Sequence, residues 1–419
     1  MLCGADFSLR LPRCFGQPAA SRRRTARQAF RLTRAAFLVQ WCVDAHAPVW
    51  DFAMKKTLFI TMFAAALMGS GSTFAGTGVH YGSGNPPSIV YGSLGGKNRA
   101  SDGLVLIFED ENSSYTQIEQ AYGGYCSGIY EEIKTFGNTV VMTGGNAGKI
   151  VGGCAEWSDN TWAYRNRVIV AGGTVETIYG GIAQGSDFSG IVQDNEIVVT
   201  GGSIGTIYAA SLIASKDAWC ERNSVSLMGK GASYSFVSQV FDGGAISIEE
   251  VALLEGSASH VSDNALNITG TDIQIGKVSG NFQQLNFHLL EGQLSSTDPM
   301  VTITGDDFFD IGPDMELSFD AVEGMTWKPG DSITLVEAQN GLALAKRAIE
   351  YNIYQNGNPE KILATAQLEL EQGQGTTQFL KLVITSAIPE PTTGTLSLLA
   401  LAGLAARRRR KINPFSNKD

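Results

Sequence analysis

The sequence has few of the residues from which metal sites and active sites are usually built. Only four histidines occur in 419 residues, and they are scattered along the chain at His46, His80, His260 and His288. None has zinc-ligand spacing, and there is no phosphate-binding glycine loop, EF-hand loop or regular calcium nonapeptide. We therefore expect neither a metal site nor a cofactor.

Proline and basic residues are also scarce in the body of the chain. Twelve prolines stand against 49 glycines, a balance that indicates many tight turns rather than disorder. Residues 76–406 hold 15 Lys or Arg against 37 Asp or Glu, a net charge of −22. Because so acidic a body repels phosphate backbones, we expect no nucleic-acid partner.

What the sequence does contain is an internal repeat. One pattern begins at Asn138, Asn166, Asn195 and Asn223, in steps of 28, 29 and 28 residues, with a looser copy at Asn264. The positions two and four residues after each Asn are always apolar, and a glycine always stands six residues after it. Each copy therefore predicts a strand of alternating pattern that ends in a turn. A second strand and corner follow, as in Ile178-Tyr179-Gly180-Gly181.

A unit of 28 residues cannot bury its own apolar face, so the copies must stack on a common core. We predict an all-β fold, a parallel β-solenoid (β-helix) of 28–29-residue coils followed by a β-rich terminal cap. Coils about 4.8 Å apart would align the asparagines into a side-chain ladder at one corner.

The amino-terminal region indicates export. Met54-Lys55-Lys56, an apolar run over 58–68 and Thr73-Phe74-Ala75 form the three parts of a signal peptide, 54–75, with cleavage between Ala75 and Gly76. Signal peptides act at the amino terminus, so we interpret residues 1–53 as untranslated sequence ahead of a start assigned too early. The alternative is an unusually long basic leader.

The remaining segment boundaries follow from where the 28–29-residue repeat begins and where it is lost. We assign 76–101 to a linker or amino-terminal cap, 102–285 to the solenoid repeats and 286–386 to the β-rich terminal cap. Within the cap, runs at 361–371 and 378–384 flank Gln372-Gly373-Gln374-Gly375 and predict a hairpin.

The carboxyl end carries the most specific motif, in the segment 387–411, which an eight-residue tail (412–419) follows. Pro389-Glu390-Pro391 precedes an apolar segment, 394–406, and then Arg407, Arg408, Arg409, Arg410 and Lys411. Such a short apolar run stopped by positive charge is typical of membrane retention.

The segment resembles the PEP-CTERM sorting signals of Gram-negative bacteria. That resemblance implies processing by an exosortase-type protease, and delivery to the cell surface or an exopolysaccharide matrix. The Asn and Gly-Gly copies are also similar to repeats of autotransporter-like adhesins.

The outward positions of the repeat strands offer no column of paired carboxylates, which hydrolases and lyases on such scaffolds need. Arg167 and Glu196 are predicted to form an exposed salt bridge between coils. Trp162 and Trp219 fall at one repeat position, so they either pack in a column or stack against glycans. Asp306, Asp307 and Asp310 are interpreted as a solvated turn, with a metal site as the alternative.

Cys126 and Cys154 lie one repeat step apart, 28 residues, and so near enough in stacked coils for a disulfide after export. The alternative is two buried thiols.

We therefore predict a non-catalytic, exported structural or adhesive protein of the cell envelope, outer surface or extracellular matrix. Its predicted partners are the sorting protease, the membrane at the apolar segment, and cell-surface glycans or exopolysaccharide. The alternative is a polysaccharide lyase or hydrolase on a β-helix scaffold, with its active site in the loops.

Overall fold

The computed structural model describes residues 77–80, 89–95, 99–107, 117–128, 132–213, 217–237, 239–280, 282–293, 298–307, 309–345 and 349–388. All of them belong to one compact unit, Phe63–Asp419. Their regular structure is almost entirely β, apart from one short 3₁₀ helix at Glu291–Gln293. Within the described ranges, no helix is long and apolar enough to cross a membrane.

The strands follow one another closely along the chain. The first nine are β1 (Thr77–His80), β2 (Ile89–Leu94), β3 (Arg99–Ser101), β4 (Leu104–Ile107), β5 (Gln117–Ser127), β6 (Glu132–Phe136), β7 (Thr139–Met142), β8 (Asn146–Tyr164) and β9 (Arg167–Gln193). The next nine are β10 (Glu196–Ile213), β11 (Asp217–Glu221), β12 (Ser224–Met228), β13 (Ser233–Phe236), β14 (Gln239–Asp242), β15 (Ile246–Gly256), β16 (His260–Ser262), β17 (Ala265–Thr269) and β18 (Ile273–Ser279). The last nine are β19 (Gln284–Leu289), β20 (Val301–Ile303), β21 (Phe309–Ile311), β22 (Glu316–Ala321), β23 (Ser332–Ala338), β24 (Leu342–Leu344), β25 (Glu350–Gln355), β26 (Asn358–Gln372) and β27 (Gln378–Ala387).

These strands stack in parallel, coil upon coil, which confirms the predicted β-solenoid. The first sheet runs through β1, β4, β7, β9, β10, β12, β17, β19, β22 and β25. The second runs through β2, β5, β8, β9, β10, β15, β18, β20 and β23. The third runs through β3, β6, β8, β9, β11 and β16. Long strands such as β9 bend at the corners and take part in all three sheets.

The apolar positions two and four residues after each repeat Asn face the interior. In all five copies these side chains are at most 3% exposed. They form one continuous core that extends to the carboxyl-terminal strands, where Leu380, Leu382 and Ile384 are also buried. Period-two alternation thus places one side of every strand in the core.

The predicted Asn ladder is confirmed. Asn138, Asn166, Asn195, Asn223 and Asn264 are at most 1% exposed. Each side-chain amide donates to the side-chain oxygen of the next coil, at 2.8, 3.0, 2.9 and 3.0 Å. Asn264 Nδ2 donates to Gln283 Oε1 at 3.0 Å, which extends the ladder by one coil. Every amide is therefore satisfied inside the core, as buried polar groups require.

The stack extends beyond the predicted repeats at both ends. Strands β1, β2 and β3, within the segment predicted as a linker or cap, pair in parallel with the next coil. Parallel pairing on the first sheet also continues past residue 285 as far as β25. The predicted hairpin is confirmed as β26 and β27, which pair antiparallel to each other and to the last strands of the first and second sheets. This hairpin covers the exposed edges of both sheets.

Candidate functional site: a polar cleft on the first sheet

The outer face of the first sheet changes character along the stack. In the amino-terminal coils its central column is apolar, with Val141, Ile169 and Val198. We expected these outward side chains to face solvent, but they are buried, and Phe241 packs against them. Phe241 belongs to the antiparallel hairpin β13–β14, which is inserted after β12. This insertion explains why the step from Asn223 to Asn264 is longer than the others.

From β12 onward the same column is polar. Ser226, Asn267, Asn286 and Ser318 occupy successive coils at equivalent positions. Ser318 Oγ donates to Asn286 Oδ1 at 2.6 Å, Asn286 Nδ2 to Asn267 Oδ1 at 2.8 Å, and Asn267 Nδ2 to Ser226 Oγ at 3.0 Å. We call this chain the outer ladder, because it runs on the opposite side of the sheet from the buried asparagines.

A histidine and a carboxylate are in contact in the neighbouring column. His288 and Asp320 stand on adjacent coils, and His288 Nδ1 contacts Asp320 Oδ1. Their side chains are 33% and 32% exposed, so both reach solvent. Met228 and Thr269 precede them in the same column.

These two columns form the floor of a cleft of about 430 Å³, which we call the polar cleft. It is lined by Ser226, Met228, Tyr234, Asn267, Thr269, Gln284, Asn286, His288, Ser318 and Asp320. Tyr234 comes from the hairpin, and its hydroxyl donates to Glu196 Oε1 at 3.2 Å. Burial, together with the neighbouring Glu196 carboxylate, raises the pKa of Tyr234 to about 12, so the phenol stays protonated.

The lining determines what the cleft can do chemically. Amides and hydroxyls both donate and accept hydrogen bonds, and Tyr234 and Met228 add an apolar surface. Only one lining residue is a carboxylate, Asp320, and it is paired with His288. Glycoside hydrolysis uses two carboxyl groups. The cleft therefore offers hydrogen-bonding groups beside an apolar surface, with a single carboxylate. The sequence did not predict this site because its residues come from coils of unequal length.

Trp162 and Trp219, which were predicted to occupy the same repeat position, share a column on the third sheet, with Ile191 between them. Lys134 Nζ lies 4.3 Å from the Trp162 ring centroid, and the His260 ring stacks on Trp219 at 4.0 Å. Packing in a column is therefore confirmed. Because neighbouring coils cover a ring face of each indole, this column supports the stack.

The structure contradicts the predicted disulfide. Cys126 and Cys154 are both free and buried. Cys126 lies opposite Ala155, whereas Cys154 lies opposite Tyr125, so the two cysteines are one residue out of register. Successive side chains point to opposite faces of a strand. Accordingly, Cys126 packs with Ile133 and Cys154 with Tyr122 and Tyr179. The alternative of two buried thiols fits.

Some of the other predicted sites lie among the residues that the structure describes, and some lie outside them. The Arg167–Glu196 salt bridge is confirmed at 2.6 Å. Asp306, Asp307 and Asp310 are exposed, and Asp307 pairs with Lys277 at 2.9 Å. Among the residues that the structure describes, no group of three or more His, Cys, Asp or Glu is arranged to hold a metal ion. The cleavage site at Ala75 and Gly76 and the sorting motif at 389–391 and 407–410 lie outside the described residues.

Comparison with known proteins assigns no family or function to this chain. No protein-family profile, no curated protein and no solved structure matches this chain.

Proposed function

We propose that this chain is an exported, non-catalytic structural and adhesive protein of the cell surface or extracellular matrix. The observation that carries the proposal is the polar cleft, a hydrogen-bonding surface on a rigid stack of coils. The partners of the protein are glycans of the cell surface or of an exopolysaccharide matrix.

The construction of the stack supports a load-bearing role. The Asn ladder links consecutive coils from Gly103, whose backbone N–H donates to Asn138 Oδ1 at 2.9 Å, to Gln283. The four rungs between asparagines are buried side-chain hydrogen bonds, so separating two of these coils would leave polar groups unsatisfied. A net charge of −22 in residues 76–406 favours solubility outside the cell.

The route to the surface rests on the sequence motifs. The signal peptide at 54–75 would start export, and an exosortase-type protease would process the segment from Pro389 to Arg410. The apolar segment 394–406 would hold the precursor in the membrane until then.

Two measurements test this proposal. The full chain, and a variant lacking residues 407–411, are produced in a Gram-negative host with and without an exosortase-type protease. We expect the full chain at the surface or in the matrix only when the protease is present, and the variant in a different fraction. Identical distributions would contradict the sorting role.

The second measurement concerns matrix binding. Purified exported protein is incubated with the exopolysaccharide of its host, and both co-sedimentation and new reducing ends are measured. We expect co-sedimentation without new ends. New unsaturated or reducing ends would show a lyase or hydrolase instead.

A further inference from the structure

We infer that the polar cleft binds a neutral oligosaccharide of about three sugar units, lying along the coil stack. This inference rests on the proposed function, and it specifies the chemical class and length of the ligand.

The charges around the cleft favour a neutral ligand. Its one carboxylate, Asp320, is in contact with the imidazole of His288. The lining includes no Lys or Arg. Nearby Arg167 is bound to Glu196, which also accepts from Tyr234. A uronate carboxylate entering the cleft would meet Asp320 and a strongly acidic body, and the lining offers no lysine or arginine to pair with it.

The outer ladder presents amide groups in a fixed orientation. In Asn267 and Asn286, one N–H donates within the ladder and the carbonyl oxygen accepts from the next coil. These bonds set which way each amide faces, and each NH₂ group has a second N–H. The second N–H groups can donate to sugar hydroxyls. Since the amides are already ordered, little conformational entropy is lost on binding.

An apolar wall completes the match to a sugar. Tyr234 is held over the sheet by its bond to Glu196, and Met228 lies beside it in the lining. Sugars combine a C–H face with a rim of hydroxyls, and a site for them needs both an apolar surface and placed polar groups. The hairpin thus supplies the wall and the sheet supplies the floor.

The spacing of the outer ladder sets the length of the ligand. Its four positions, from Ser226 to Ser318, lie on four consecutive coils. At about 4.8 Å per coil, the ladder spans about 14 Å. Each unit of an extended sugar chain advances by a length comparable with one coil, so about three units cover the ladder. Affinity should rise from monosaccharide to trisaccharide and then level off.

The test uses the full exported chain and calorimetric titration with defined probes. The neutral probes are glucose oligomers of one to five units with β-1,4, β-1,3 or α-1,4 linkages, and N-acetylglucosamine oligomers with β-1,4 linkages. The anionic probe is trigalacturonate. We expect at least one neutral series to bind, with affinity levelling off at about three units, and trigalacturonate to bind more weakly than the neutral trimer.

Matched variants connect binding to the cleft. Asn286→Ala removes the middle of the outer ladder and should weaken trimer binding about tenfold, since it removes about two hydrogen bonds from the site and its support. Tyr234→Ala should also weaken it. The control Asn340→Ala makes the same change at an exposed turn, where Nδ2 donates to Gly305 O, and should leave binding unchanged. Circular dichroism verifies that each variant is folded.

The outcomes separate the inference from the proposed function. If no neutral probe binds, if trigalacturonate binds more tightly, or if folded Asn286→Ala binds like wild type, the inference is overturned. If the inference is overturned in one of these ways but the wild-type protein co-sediments with matrix polysaccharide, adhesion occurs through another surface and the proposed function stands. If the wild-type protein does not co-sediment either, the proposed function itself fails.

Discussion

A single asparagine of the ladder satisfies several buried groups at once. Asn195 Oδ1 accepts from both the backbone N–H and the side chain of Asn166, each at 3.0 Å. Its Nδ2 donates to Asn223 Oδ1 and to the backbone oxygen of Ala163, each at 2.9 Å. Removing a side chain of this kind leaves its partners buried without hydrogen bonds.

We predict that Asn195→Ala lowers the free energy of unfolding by about 3 kcal/mol or more, because more than one buried partner loses its bond. Urea denaturation followed by circular dichroism measures the change. The exposed Asn340→Ala is the control and should change stability by no more than about 0.5 kcal/mol. Equal effects of the two substitutions would contradict a structural role for the ladder.

The three described cysteines are expected to be unreactive in the folded protein. Burial raises the pKa of the Cys220 thiol to about 12, and also raises the pKa of Cys126 and of Cys154. The thiolate is the reactive form, so a raised pKa and burial both slow the reaction.

We therefore predict that a disulfide-exchange reagent at pH 8 labels none of these thiols rapidly in native protein, and labels all three in urea. Peptide mapping after labelling identifies the sites. Unlabelled Cys126 and Cys154 in unfolded, unreduced protein would indicate the disulfide that the structure contradicts.

At the scale of the element, the ladder also explains the second glycine of each pair at the second corner. A Cβ atom added to Gly153 would lie 2.5 Å from Asn166 Nδ2, and one added to Gly181 would lie 2.9 Å from Asn195 Nδ2. The glycines thus leave room for the asparagines rather than supplying an unusual backbone angle. In the next coil Ala210 occupies the equivalent position.

We predict that Gly153→Ala destabilises the protein by about 1 to 3 kcal/mol through overpacking, and that Gly181→Ala costs less. The control is Gly312→Ala, since a Cβ atom there has no neighbour within 4 Å. Urea midpoints give the order of the three variants. A Gly312→Ala midpoint below that of Gly153→Ala would refute the explanation.

The repeat pattern was sufficient to predict the coils and the ladder, because both depend on local alternation and a fixed step. The terminal hairpin was predicted from two strand-like runs on either side of a glycine-containing turn. The backbone conformation of the residue before each of the four later asparagines was not predicted. Arg165, Asp194, Arg222 and Asp263 have positive φ there, a conformation that glycine usually marks. The polar cleft was missed because its rungs are 41, 19 and 32 residues apart, so the sequence shows no common period.

At the scale of the whole molecule, the number of sheets around the core changes along the stack. The step from Asn264 to Gln283 is only 19 residues. So short a coil forms β17 and β18 of the first and second sheets, and the third sheet ends at β16. The coils up to β16 are therefore three-sided, and the 19-residue coil joins two sheets. In the later coils β21 and β24 pair in parallel as a separate two-stranded sheet. The polar cleft spans this change, because its rungs are 41, 19 and 32 residues apart.

We predict that the exported protein begins at Gly76, and that translation begins at Met54. Amino-terminal sequencing of secreted material gives the first residue. Met54→Leu should abolish export, whereas the matched Met1→Leu should leave it unchanged. A mature protein that retains any of residues 1–53 would refute both statements.

The spacing of the rungs has a consequence for the order of folding. Partners in the ladder are 28 or 29 residues apart through the first four asparagines. Each new coil therefore closes a short loop onto a surface that the preceding chain has already formed. Closure entropy grows only slowly with loop length, so even the 41-residue step adds well under about 1 kcal/mol. Because each coil contacts chiefly its neighbours, the chain can add layers one at a time as it leaves an export channel. Translocation and folding would then proceed together, with no need for the whole chain to emerge first.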